Sequence, residues 1–259
     1  MQELKEKVSG LIITFNEEKN IREVLECFDF CDEIIVVDSF STDQTLEIAN
    51  TFPNVKILQN TFEDFTKQRN LALNTAKNDW VLFLDGDERI TSQLREEIIE
   101  TVKNPNAKDA YYFYRTFFVG TKKINFSGTQ NDKNFRLFRK SKAHYLENKK
   151  VHETLKVNGT TGVLKHKLLH YSFENYECFK NKMLSYGKLK GQELQLKGEK
   201  YSVIVQWSKV IFKFSKTYFL KLGFLDGMNG LKISYLQSLY VYETHKTLNL
   251  KATDIFKNN

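Results

Sequence analysis

The stretch "NDWVLFLDGDERI", residues 78–90, runs five apolar residues from Trp80 to Leu84 straight into Asp85, Gly86, Asp87 and Glu88. Its first part reads as a buried strand, because the apolar run is short and does not alternate. Its second part sets three carboxylates within four residues, and such charges repel one another unless water, a cation or a cationic partner screens them. Asp-Gly is common turn chemistry, so a solvated turn explains the motif taken alone. The sharper alternative is a cation site that holds a phosphorylated ligand. The neighbouring segments weigh between the two.

Before this strand the chain alternates. "VSGLIITF" (8–15) reads as a buried strand and "EEKNIREVLECFDF" (17–30) as an amphipathic helix. "DEIIVVD" (32–38) is a second strand, followed by the helix "DQTLEIANTF" (43–52), which Ser41 or Asp43 can cap. "NVKILQ" (54–59) is a third strand, "TKQRNLALNTA" (66–76) a helix, and "SQLREEIIETVK" (92–103) another. This β-α repetition predicts a parallel sheet covered on both faces, with right-handed crossovers.

In such a sheet ligands sit outside the carboxyl ends of the strands. Three of the four strands deliver polar groups there: Thr14, Asn16 and Glu17 after the first, Asp38, Ser39 and Ser41 after the second, Asp85 and Asp87 after the fourth. That rim fits a nucleotide. Asp38 can accept the imide N–H of uracil, while hydroxyls and backbone amides reach ribose. Singly, Ser41 or Asn16 reads as a helix cap. No G-x-G-x-x-G fingerprint follows the first strand and no Walker lysine loop exists, so phosphates would have to be held by a cation. Attention returns to Asp85 and Asp87.

The 259 residues, 41% hydrophobic and 27% charged with two prolines, describe an ordinary folded protein. A net charge of +7 suggests an anionic partner. Cys27, Cys31 and Cys178 lack a zinc-like second pair and read as reduced thiols in a cytoplasmic protein. The N-terminal segment, with Glu3 and Glu6, is a poor secretory signal, and no apolar run reaches the ~18–20 residues of a spanning helix.

From about residue 105 the pattern changes. "AYYFYRTFFVG" (110–120) is strand-like, and "NFRLFRKSKAHYL" (134–146) and "KVHETLKV" (150–157) alternate like antiparallel strands. After Asn175 the chain becomes helical and basic. Residues 201–259 hold eight lysines against Asp226, Glu243 and Asp254, with eleven aromatics interleaved. Helical spacing of Val210, Phe214, Thr217, Phe219 and Leu220 opposite Lys209, Lys213 and Lys216 favours a membrane surface over single-stranded nucleic acid, with packing on the rest of the protein as the plain alternative. Three regions are expected: an α/β half over 1–104, a strand-rich half of the same domain over 105–175, and a helical basic extension over 176–259.

The segments "ITFNEEKNI", "DEIIVVDSFSTDQT", "QRNLAL", "WVLFLDGDERI", "RLFR", "KVHE", "LLHYS" and "GFLDGMNG" occur in the order seen in family 2 glycosyltransferases. Over roughly residues 8–240 the chain resembles the branch that builds the lipopolysaccharide core, often described as β-1,4-glucosyltransferase-like. The resemblance implies an α/β GT-A fold with a mostly parallel central sheet, and inverting transfer from a nucleotide-diphospho-sugar. It further implies that Thr14, Asn16, Glu17, Asp38, Ser41, Arg69 and Asp85 serve the nucleotide sugar. Asp87 would be the principal ligand of Mg²⁺ or Mn²⁺, His170 a further metal or diphosphate contact, and Glu153 the catalytic base. The loop "SFSTD" carries Phe40 where relatives often have glycine, which makes the nucleotide loop bulkier.

The expected partners are a UDP-hexose donor and a lipopolysaccharide core or related glycolipid acceptor. The expected place is the cytoplasm, with the inner face of the cytoplasmic membrane open to the basic tail. Two other readings compete. A sugar nucleotidyltransferase would need a glycine-rich basic phosphate loop where this chain has the acidic "TFNEEKN". A non-enzymatic basic module binding membrane or nucleic acid would leave Asp85, Asp87 and Glu153 without a role.

Overall fold

The computed structural model describes residues 6–146 and 154–250. The chain divides into two compact units, Met1–Arg115 with Lys133–His170, and Thr116–Asp132 with Tyr171–Asn259. In chain order the early elements are β1 (Val8–Thr14), α1 (Ile21–Glu26), β2 (Glu33–Asp38), α2 (Thr45–Ala49), β3 (Val55–Gln59), α3 (Phe65–Thr75), β4 (Trp80–Phe83), β5 (Glu88–Arg89) and α4 (Ser92–Lys103). There follow β6 (Ala110–Val119), β7 (Lys122–Ile124), β8 (Lys133–Arg139), β9 (Ala143–Tyr145), β10 (Leu155–Val157), β11 (Thr161–Val163) and β12 (Leu168–Phe173). Three long helices come last: α5 (Tyr176–Leu196), α6 (Val203–Ser215) and α7 (Gly227–Asn249).

In the first unit the strands lie in the order β3-β2-β1-β4-β8-β6. The first four pair in parallel and β8 joins β4 and β6 antiparallel. Because β1, β2 and β4 are buried on both faces, their residues split between two apolar layers. Val8, Ile12, Ile34, Val36, Trp80 and Leu82 pack on one side with Val24, Leu94 and Ile98, which belong to α1 and α4. Leu11, Ile35, Val37, Val81 and Phe83 pack on the other with Ala72 and Leu73 of α3. The helix after β4 spans Ser92–Lys103, as its pattern predicts, capped by Thr91, whose side chain accepts the Leu94 N–H.

The helices over 17–30 and 43–52 are shorter than their apolar spacing predicts, and the reason is local. The amides of Asn16, Glu17 and Glu18, expected near the start of a helix, instead donate to Ser41 Oγ, Thr45 Oγ1 and Asp43 Oδ2 at 2.9, 2.7 and 3.0 Å. The first two strand-helix turns are thereby laced together. Side-chain oxygens satisfy amides that a helix start leaves without a backbone acceptor, and so hold residues 16–18 in the turn.

In the second unit α5 packs along α7 through glycines. A Cβ on Gly187 would stand 2.8 Å from Glu243 Cβ, and one on Gly191 would stand 2.5 Å from Thr247 Cβ, so only glycine admits this approach. Phe179, Ile233 and Leu236 join Val119 and Ile124 in a separate apolar cluster. The "GFLDG" segment has a structural task here. Asp226 accepts the Phe126 N–H at 2.8 Å, and Gly223 leaves room for Ser127 Oγ, which a Cβ would meet at 2.7 Å. Among the described residues no helix is long and apolar enough to cross a membrane.

Candidate active site

The three clustered carboxylates of the opening stretch have separate fates. Asp85 accepts from Arg69 Nη2 at 2.6 Å and, through its other oxygen, from Arg136. Glu88, wholly buried, accepts from Arg136 at 2.7 Å and Arg115 at 3.2 Å, and takes the Asp85 N–H at 3.0 Å. Burial opposes the charge on Asp85, but Arg136 and Arg69 outweigh it and hold the carboxyl well below the ordinary range. Burial likewise works against the Arg136 cation, which Asp85 and Glu88 push the other way. Three arginines thus screen two carboxylates.

Arg69 lies in the interior although it sits on a polar helix. Its guanidinium lies 4.5 Å from the Phe83 ring centroid and 5.8 Å from that of Tyr145, and the residue is 7% exposed. Arg136 is also buried. Arg115, Glu88 and Tyr145 complete this framework unannounced by the sequence. The only hint was the position of Glu88 next to the carboxylate pair.

Asp87 is the carboxylate left facing outward, its side chain 36% exposed. Its Oδ2 stands 3.3 Å from Nε2 of His170. β5 and β12 pair antiparallel with His170 opposite Glu88, which brings a residue far along the chain beside the motif. Burial would raise the Asp87 pKa, but the hydrogen bond and charge of His170 leave it below the ordinary value. Glu17 adjoins them: a Cβ at Gly86 would meet its Cδ at 3.3 Å. Burial, with a further push from Asp87, raises the Glu17 carboxyl despite a hydrogen bond from Asn20. Arg89 fastens the turn from below, donating to Gly86 O at 2.7 Å and to Glu23 at 2.9 Å.

Among the described residues no three His, Cys, Asp or Glu side chains converge as a self-sufficient metal cage. Mg²⁺ and Mn²⁺ do not require one, since they keep waters and take oxygens from substrate phosphates around one or two carboxylates. Asp87 with His170 fits such a partial set. Asp85, with an arginine on each oxygen, does not.

At the second strand end Asp38 is fully buried and its oxygens accept from the amide, at 2.9 Å, and the hydroxyl of Ser41. Ser41 Oγ in turn takes the Asn16 N–H, and Asn16 Oδ1 takes that of Thr42 at 2.8 Å. Asn16 and Ser41 therefore act as lacing between loops and not as caps of α1 or α2, whose N-caps are Asn20 and Gln44. Among the described residues Thr14 Oγ1 is buried without a hydrogen-bond partner. Phe40, half exposed between Asp38 and Ser41, adopts a left-handed backbone with φ of 63°. Of the other histidines, His166 is tied to Glu97 at 2.9 Å. Glu153 lies outside the described residues.

The model of glycosyl transferase family 2 matches residues 9–162, which spans the ends of β1, β2 and β4 and stops short of His170. The chain belongs to that family. It is a glycosyltransferase with a GT-A-like fold. It is 30% identical over 240 residues to an uncharacterized glycosyltransferase of Rickettsia typhi, covering 86% of this chain and 80% of that protein. It is 25% identical over 258 residues to the lipopolysaccharide core biosynthesis glycosyltransferase LpsC of Rhizobium meliloti, covering 92% and 93% of the two chains. A crystal structure of S. aureus TarS residues 1–349 superposes with a TM-score of 0.50 at 18% identity, covering 98% of this chain and 92% of that one, a likeness of fold alone.

Proposed function

We propose that this glycosyltransferase is metal-dependent and inverting, and that it moves a hexose from a UDP-sugar to a lipopolysaccharide core or related glycolipid acceptor. The observation that carries the donor side is the division of labour in the 85–88 cluster. Asp85 and Glu88 are consumed by arginines, and Asp87 is left with His170 at the open edge of the sheet. Thr14, Asn16, Glu17, Asp38 and Ser41 border the same edge and are the groups to line a uridine and its ribose. Arg69 and Asp85 serve by holding that rim in place. The similarity to LpsC supports a glycolipid acceptor.

In the proposed reaction the acceptor hydroxyl attacks the anomeric carbon as the bond to the diphosphate oxygen breaks on the opposite face. Glu153 takes the hydroxyl proton, a role for a positioned carboxylate worth ~10²–10⁴-fold. Asp87 and His170 would hold Mg²⁺ or Mn²⁺, which as a Lewis acid stabilises the charge gathering on the departing diphosphate. No residue need form a covalent intermediate.

The nucleotidyltransferase alternative is weaker, because the turn after β1 is spent on lacing to Ser41, Asp43 and Thr45 and offers no glycine-rich cradle. A thermal-shift screen of nucleotide sugars with and without Mn²⁺ tests the proposal. A UDP-sugar should raise the melting temperature only with the cation, by mass action on the folded state. Stabilisation by nucleoside triphosphates and not by any nucleotide sugar would refute it.

A further inference from the structure

Helix α6 is turned inside out. Gln206 is its buried residue, accepting from the Tyr201 hydroxyl at 2.8 Å, and Thr217, just past the helix, is 1% exposed. The apolar side chains lie outward: Ile204 is 78% exposed, Trp207 51%, Ile211 62% and Phe212 60%. At 100° per residue these four share one face, away from Gln206 and Thr217. A surface helix of a globular protein normally turns that stripe to the core. The exposure continues beyond the helix through Leu220 at 74% and Met228 at 64%. Monomeric soluble proteins rarely show so large an apolar surface without a binding purpose.

The charges say what covers it. From Lys200 to Leu225 there are five lysines and no aspartate or glutamate. Lys209 and Lys216 follow one flank of the apolar stripe, and Lys216 Nζ sits 5.7 Å from the Phe212 ring centroid. Burial first, and then the charges of Lys221 and Lys216, lower the Lys213 pKa, so these ammonium groups share one neighbourhood. A two-fold contact between copies would press this cationic strip against itself. An anionic bilayer complements both features at once, taking the apolar stripe into the acyl boundary and the lysines at phosphate level.

We propose that α6 and the turn after it form a docking face for anionic membrane, with Ile204, Trp207, Ile211 and Phe212 inserted and Lys209 and Lys216 on the headgroups. This rests on the helix alone and not on the donor chemistry. It goes further than a basic tail near a membrane, since it names the inserted side chains and the orientation of the helix.

The test uses the full chain with phosphatidylcholine vesicles, with and without about one-third phosphatidylglycerol. Trp80 is fully buried, so a change in tryptophan emission reports Trp207. Expected are flotation with the anionic vesicles, a blue shift, quenching by bromine-labelled lipid, and release at about 0.5 M salt. Ile204→Glu with Ile211→Glu should weaken binding roughly a hundredfold or more, the scale of two apolar side chains kept in water. Lys209→Glu with Lys216→Glu should weaken it roughly tenfold or more, and UDP affinity should stay unchanged in both. The quenching needs no substitution and decides the matter even where a variant fails to fold. An intact chain that ignores anionic vesicles at low salt overturns the proposal. Binding without Trp207 quenching also overturns it, as does lipid-free self-association that shields Trp207, which would assign the face to a second copy.

Discussion

His170 Nε2 stands 3.3 Å from Asp87 Oδ2, held there because β12 pairs with the two-residue β5 directly after the motif. If the pair shares a cation with the donor diphosphate, its members act as a unit. Asp87→Asn should weaken Mn²⁺-dependent UDP binding by roughly tenfold or more, since a neutral amide is a poor ligand for a hard cation. His170→Ala should weaken it less, and the double variant should lose less than the sum of the two. Calorimetry with and without Mn²⁺ measures all three, and additive losses would mean that the residues act separately.

Asp85 makes a contrasting prediction. Asp85→Asn leaves Arg69 and Arg136, with side chains 9% and 5% exposed, short of a counter-charge. Breaking a buried pair on one side typically costs ~3–5 kcal/mol. Chemical denaturation should therefore show a large loss of stability for Asp85→Asn and a small one for Asp87→Asn, which pairs with His170. Equal stabilities would contradict the separation of framework from site.

Phe40 sits at φ of 63° with half its surface exposed. The left-handed region costs a residue with a Cβ ~1–2 kcal/mol. Phe40→Gly is expected to stabilise the fold by up to ~1 kcal/mol, because glycine's greater freedom in the unfolded chain offsets part of the relief. A thermal melt reads this. A fall in stability would show that the ring has a packing role that its exposure hides.

Glu97 joins α4 to the turn before β12, accepting the Lys165 and His166 amides at 2.7 and 2.9 Å. Burial would raise its carboxyl, but these bonds and the His166 ring hold its pKa below the ordinary value. Because the folded pKa is depressed, the unfolded chain binds more protons between the two values, so stability rises with pH there. The contribution is fully present above about 4.5 and is lost as pH falls through the folded pKa. Glu97→Gln should cost about 1 kcal/mol at neutral pH and flatten the acid limb of a denaturation profile. An unchanged limb would remove Glu97 from the acid response.

The strands β1, β2, β3 and β4 were legible because each is an apolar run ending in polar residues, and their parallel order followed from the intervening helical patterns. The rim of Thr14, Asn16, Asp38, Ser41 and Asp87 followed from that order. What the sequence hid were the interactions that cross it. Nothing in "NEEKNI" (16–21) tells that its first three amides are taken by Ser41, Thr45 and Asp43, so the apolar spacing overstates the length of α1. Arg69 reads as exposed on a polar helix, although Phe83 and Tyr145 shelter it and Asp85 offsets its charge. Just past α6 the pattern itself misleads: the helical spacing groups Thr217 with Phe219 and Leu220, yet Thr217 is buried while Phe219 and Leu220 are exposed.

Donor binding and sugar transfer measured on one preparation of Glu153→Gln give the most direct test of inverting transfer by this chain. Glutamine keeps the size and hydrogen-bonding shape of the side chain but cannot take the acceptor proton near neutral pH. Calorimetry with UDP and Mn²⁺ should show affinity within a few-fold of the parent, while transfer of labelled hexose to a glycolipid extract should fall by about 10²-fold or more. Near-normal transfer by Glu153→Gln would contradict it and turn the search for the base to Asp132.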